Sequence, residues 1–333
     1  MNGFSAAISG VGSAIGRYFS VVSFIPSFFL IGFTFALVES GSWGTSGEPD
    51  WARAGSALTH LGNLAALILI SIALGIIVHP VQFALVQFFE GYWGTGPLAQ
   101  RARVARIRRY RKYRAHQLEE TIKAVMALND QKKLPGPETR MKLLSTAAEG
   151  QRLLQGYPLE VDDTMPTRLG NVLRRYERQA GVQYGLEATG VIRHVGLVAA
   201  PERVAYVSDQ RQLLDLSVRM SATSIFATFM AIAFLWHHGL WLLIALIPYG
   251  VAYLSYRGAV VVAHQYGSAV SAMIDLDRFA LYENLRLPRP VSTADERRLN
   301  ARLMGLINHD TEAVVRYQYP EVTGDSAAGA KGP

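Results

Sequence analysis

The stretch SATSIFATFMAIAFLWHHGLWLLIALIPYGVAYLSY, residues 221 to 256, contains no Asp, Glu, Lys or Arg and lies between Arg219 and Arg257. As a single helix the uncharged gap would reach about 55 Å at 1.5 Å per residue, against about 30 Å of bilayer hydrocarbon. A helical hairpin turning at His237-His238-Gly239 fits that thickness. Each arm is short, so Ser217 or Leu216 completes the first crossing, and Arg219 and Arg257 are expected to snorkel from the same ends.

Two further gaps lie upstream, between Arg17 and Glu39 and between Arg53 and Glu90. The first predicts a span from about Phe19 to Val38. The second predicts a span from about Leu58 to Phe89, broken at His79-Pro80, where proline removes a hydrogen bond and crowds the preceding turn. Half of the 333 residues are hydrophobic and 18% are charged, against about 25% in soluble domains. The fold class is therefore all-α: four transmembrane helices with a helical cytosolic insertion, an N-terminal amphipathic helix and a C-terminal helical stalk. In chain order the segments are 1–18 (amphipathic helix), 19–90 (spans one and two), 91–213 (cytosolic helices), 214–257 (the hairpin), 258–310 (stalk and short helix) and 311–333 (disordered tail). No positive charge precedes residue 17, so the N-terminal stretch reads as a retained interfacial helix, not a signal peptide.

Orientation follows from RARVARIRRYRKYRAH, residues 101 to 116. Arg101, Arg103, Arg106, Arg108, Arg109, Arg111, Lys112 and Arg114 fall there without one carboxylate. The run lies within about 20 residues of a span's end, the distance over which the positive-inside rule is counted. It places 101–116 and both termini in the cytoplasm and the Trp-bearing loop at 39–57 outside. These eight cations are the candidate contacts to anionic lipid headgroups, each contributing on the order of 1 kcal/mol near the surface. A nucleic-acid partner is not expected: Tyr110 and Tyr113 are present, but no recognition module surrounds them.

Between the run and residue 213 the chain reads as helices broken at 134–138 and 157–167. Leu169, Val172, Leu173 and Tyr176 share one face at helical spacing, and Gly181 closes that helix. Thr293 and Glu296 have capping-box spacing for a last helix from about 294 to 308.

Chemistry leaves little trace. With no cysteine, thiolate metal sites, disulfides and a Cys nucleophile are excluded. Residues 10–16, GVGSAIG, lack the preceding strand of a dinucleotide site, and His237-His238 lacks a third metal ligand, so no cofactor or metal is expected. Asp162-Asp163 and Asp275-x-Asp277 could hold Mg²⁺ if phosphates joined them, although Asp162 and Asp163 fit helix capping better. Polar residues expected within the spans are His60, Asn63, His79 and Gln82; they either hydrogen-bond between helices or line a path.

PTRLGNVLRRYE (166–177), YGLEA (184–188) and LSYRGAVVVAHQYG (254–267) resemble a family of uncharacterised bacterial multipass membrane proteins frequent in actinobacteria. The likeness covers chiefly residues 160–290. It implies bacterial membrane placement and lends no catalytic residue; where such relatives commonly carry a Trp, this chain has Val191-Ile192-Arg193. Three functions are weighed. The first is a non-enzymatic, oligomeric membrane module whose cytosolic helices dock a membrane-protein partner or sense the membrane. The second is an oligomeric channel lined by the second span. The third is an enzyme acting on lipid or lipid-linked phosphate through Asp162 or Asp275.

Overall fold

The computed structural model describes residues 19–43, 48–130 and 136–319, and every regular element among them is helical. The expected amphipathic helix at 1–18 lies outside the described residues. A π-helical turn, Phe19–Phe24, leads into α1 (Ile25–Glu39), with Pro26 in the first turn, where a missing N–H costs no hydrogen bond. The helix α2 (Trp51–Thr59) is capped by Asp50, whose carboxylate accepts the Arg53 amide at 3.0 Å. Next come α3 (Leu61–Val78), a 3₁₀ turn at His79–Val81 and α4 (Gln82–Glu90), which together place the expected break at Pro80. Two polar helices follow, α5 (Pro97–Asn129) and α6 (Pro137–Leu154). Beyond them are α7 (Arg168–Gln179), α8 (Ala188–Val198) and α9 (Pro201–Leu235). A 3₁₀ stretch, Gly239–Ala245, opens α10 (Leu246–Asn284), and α11 (Thr293–Ile307) is last.

Four helical segments, Val22–Glu39, Leu61–Glu90, Pro201–Leu235 and Gly239–Asn284, are long and apolar enough to cross a membrane. The third begins well before residue 214, because residues 202–235 contain neither Gly nor Pro to interrupt the helix. Their outward faces carry Leu69, Ile77, Phe83, Phe229, Ile247 and Leu254, all exposed, which is the surface hydrocarbon covers. Their packed faces are small: Ser23, Ser27, Ser71, Ala227, Ala231, Ala252 and Ala259 are buried. Lipid is as apolar as leucine, so helices in it associate by close approach and hydrogen bonding. A Cβ on Gly75 would stand 3.3 Å from the Ser23 carbonyl, and Ser221 Oγ donates to the Ala252 carbonyl at 3.1 Å.

Beside the C-terminal end of α1, Ser40 Oγ and Ser42 Oγ both donate to the Leu37 carbonyl, at 2.8 and 2.6 Å. Trp51 meets Trp241, and Trp43 meets Phe234 edge-on. Such aromatic clusters suit a membrane–water interface.

The chain forms two compact units, Met1–Arg175 with Val207–Gly267, and Tyr176–Tyr206 with Ser268–Pro333. The 91–213 stretch therefore contributes to both units instead of forming one insertion. In the second unit, Arg203 grips Asp277 through Nε and Nη2 at 2.6 and 2.5 Å. Arg278 stacks on Tyr184 at 3.8 Å and donates to Glu296 at 2.8 Å. Tyr282 donates to the same carboxylate at 3.0 Å, and Asn300 donates to the Tyr282 hydroxyl and the Tyr184 carbonyl.

That network corrects the capping box at Thr293. The cap is Ser292, whose hydroxyl accepts the Asp295 amide at 3.2 Å, and Glu296 instead turns inward to Arg278 and Tyr282. The C-terminal stretch expected to be disordered from 311 begins with described residues: 311–319 are non-helical, and the Gln318 amide donates to the Arg286 carbonyl at 2.7 Å. Residues 320–333 lie outside the described residues.

Candidate functional site

The arginine run lies on the first half of α5, a helix of 33 residues opened by Pro97. Arg101, Arg106, Arg108, Arg109 and Lys112 are exposed, and Arg103 is half-buried. Ala105, Arg108, Arg109, Arg111 and Lys112 line an open concavity of about 530 Å³. Two members of the run do other work. Arg111 pairs with Asp162 at 3.2 Å, and Arg114 donates to the Leu159 carbonyl at 2.5 Å. Both hold the 155–167 loop against α5. Burial lowers the Arg114 pKa from its ordinary value, and burial pushes the Tyr157 phenol up to about 12, so it packs beside Tyr110 as a neutral ring. Six of the eight predicted headgroup contacts are therefore available to a surface, and Arg111 and Arg114 are structural.

The second half of α5 differs. Leu118, Ile122, Val125 and Met126 are exposed at i, i+4, i+7 and i+8, and Met141 and Leu144 are exposed on α6. The two helices pack at Gly150, where a Cβ would collide with the Thr121 hydroxyl. An α5–α6 hairpin thus carries cations near one end and an apolar stripe toward its tip.

The segment 165–171 fastens the end of α4. Thr167 Oγ1 donates to the Glu90 carbonyl at 2.9 Å and accepts the Gly170 amide at 2.9 Å, so Thr167 caps α7. This corrects the assignment of capping to Asp162 and Asp163, which lie too far before Arg168 to reach the first-turn amides. Asn171, wholly buried, accepts the Met165 amide at 2.8 Å and donates to the Met165 and Thr167 carbonyls at 2.9 and 2.7 Å. Gly91, at φ 109°, takes Pro166 against it, and a Cβ on Gly170 would strike the Glu90 carbonyl. Within PTRLGN, Pro166 and Gly170 thus act by close packing and Thr167 and Asn171 by hydrogen bonding. In the second unit Gly185 of YGLEA has φ 79°, and a Cβ there would stand 3.2 Å from Arg297 Cα.

The four polar residues expected within the spans do not converge. His60 and His79 are exposed, and half-buried Asn63 donates to the nearby Ala57 carbonyl at 2.9 Å. Gln82 alone is drawn inside, and with it comes a residue the sequence places at the lipid surface. Arg219 is 1% exposed. Its Nε donates to Gln82 Oε1 at 2.7 Å, while Gln82 Nε2 donates to the Asp215 carbonyl at 3.1 Å. The buried Asp215 carboxylate meets Arg211 at 3.3 Å. The expected snorkelling of Arg219 is therefore corrected: α4 supplies an amide oxygen inside the bundle, which makes burial of the guanidinium tolerable. Arg257 does stay exposed, beside Tyr253. No periodic signal marks Arg219 for burial; its partner is 137 residues away.

The acidic residues weighed for phosphate chemistry have protein partners: Asp162 has Arg111, Asp275 accepts from Gln183 at 2.9 Å and Asp277 holds Arg203. Among the described residues no group of three His, Cys, Asp or Glu is arranged to hold a metal. Compared with known protein families, curated proteins and solved structures, the chain gave no match.

Proposed function

We propose that the chain is a non-enzymatic multipass module of a bacterial cytoplasmic membrane, of the actinobacterial kind its 166–188 motifs resemble. On this reading both termini are cytoplasmic, α5 rests its cationic half on anionic headgroups, and the apolar stripe toward the hairpin tip associates with a second copy of the chain. The observation that carries the reading is the division of α5 into exposed cations at 101–112 and exposed apolar residues at 118–126. Charges so exposed act through surface potential and not through fixed pairs, which suits a diffuse anionic surface better than a discrete ligand.

The absence of native cysteine makes single-cysteine variants clean reporters. In oriented vesicles, a cysteine at Trp43 should be labelled from outside and one at Arg108 only from inside; the reverse pattern inverts the orientation. Met126→Cys should give a crosslinked dimer in native membranes, and Met126→Asp should abolish a dimer trapped at Met141→Cys. A chain that remains monomeric in both assays is not the proposed assembly. Binding of a Pro97–Asn129 surface to anionic vesicles is probed with the whole protein in nanodiscs: tethering of anionic vesicles should fall as salt rises, and neutral vesicles should not tether.

A further inference from the structure

The second unit carries a half-open cavity of about 440 Å³, within the roughly 300–1,000 Å³ that small-molecule sites span. Its floor is apolar: Leu287 and Leu303 are buried, and Leu306 is half-buried. Its rim carries Arg193, His194 and His309, all exposed, and no carboxylate is among its lining residues. Arg193 and His194 reach the rim because α8 lies close on α11 at Gly190, where a Cβ would stand 2.8 Å from Met304 Cε.

Backbone conformation marks the same place. Among the described residues Arg286 and His309 are the non-glycine residues with positive φ, at 55° and 63°. Each closes a helix in a Schellman turn. The Leu287 amide donates to Tyr282 at 2.8 Å and that of Arg286 to Glu283 at 3.1 Å; the Asp310 amide donates to Gly305 at 2.9 Å and that of His309 to Leu306 at 3.0 Å. Glycine is the favoured residue at such positions, because a Cβ is strained there. At His309 the strained backbone sets an imidazole on the cavity rim.

We propose that this cavity binds a single-chain amphiphile with an anionic head, its tail on the leucine floor and its carboxylate or phosphate monoester at Arg193 and His309. Arginine presents paired donors to either oxyanion, and a histidine ring supplies at least one N–H in any protonation state. The inference goes beyond the headgroup reading of α5 and involves none of its residues, so the two fail separately.

The test uses the full chain in phosphatidylcholine nanodiscs, titrated calorimetrically with empty discs as blank. Octanoate and octyl phosphate should bind at least tenfold more tightly than octanol or octyltrimethylammonium. Butanoate should bind at least tenfold more weakly than octanoate, since each buried methylene strengthens binding about fourfold. Arg193→Gln should weaken both anions at least tenfold. His309→Gly should raise the melting temperature, by relieving the left-handed residue, while also weakening the anions, which separates a lost head contact from a lost fold. Preference for octyl phosphate would mark a lipid phosphate as the natural source, and preference for octanoate a fatty carboxylate; both support the shared chemistry. Octanol binding as well as octanoate, or anion binding unchanged in both variants, would overturn it.

Discussion

Arg101, Arg106, Arg108, Arg109 and Lys112 stand in solvent on α5, whereas Arg219 on α9 is, by volume, foremost among the fully buried side chains. The exposed cations are fixed by few contacts, and what they do depends on their number and on the charge of the surface they face. Arg219 is the opposite case: it is buried against a specific acceptor, the Gln82 amide oxygen at 2.7 Å. The exposed cations are thus legible as a run along one helix, while the single buried one depends on packing between helices far apart in sequence.

The sharpest way to break this comparison is to delete the buried member. Arg219→Ala should destabilise the protein by about 3 kcal/mol, because a large, fully buried side chain is lost and the buried Gln82 amide oxygen is left without its donor. Arg257→Ala, an exposed arginine on the next helix, should stay within about 0.5 kcal/mol. Thermal unfolding in nanodiscs reads both, and equal losses would erase the distinction. Next in size is Asn171→Ala. It removes three hydrogen bonds within 165–171 and strands the Met165 amide and carbonyl, for a loss of about 2 kcal/mol in the same assay.

Neutralising the exposed cations should divide stability from binding. Gln at Arg101, Arg106, Arg108 and Arg109 together should leave unfolding close to wild type yet weaken tethering to anionic vesicles by about 1 kcal/mol per charge removed. The salt dependence of tethering should flatten in step. The smallest effect is expected from Asp162→Asn. Its pair with Arg111 is exposed, so the melting temperature should stay within about 1 °C.

Legibility followed the range of the interactions. The break at Pro80, the glycine end of α7 at Gly181 and the hairpin near Gly239 were readable because each depends on a residue's own backbone, restricted in proline and permissive in glycine. Capping was misread by small distances with large consequences. At α11 the cap is Ser292, one residue before Thr293, which frees Glu296 to become a buried acceptor. At α7 the aspartates looked suitable by type, but Thr167 holds the position from which an oxygen reaches the Gly170 amide. Of the eight predicted headgroup cations, Arg111 and Arg114 turned to the 155–167 loop, because that loop offers a carboxylate and a carbonyl that no local pattern announces.

The sequence by itself determined the all-α class, the four apolar segments and the cationic start of α5. Each rests on composition over a window about as long as the structure it specifies: some twenty uncharged residues for an apolar helix, or eight cations within fourteen residues for the cationic stretch. Tertiary structure alone decided which charge is buried, which polar residue accompanies it, and where a cavity opens. Arg219 meets Gln82, and Arg193 and His309 come to one rim, only after helices distant in sequence pack at glycines and serines that allow close approach. No window on the chain contains both members of either pair, and the free energy that selects them comes from hydrogen bonding and packing across the helices.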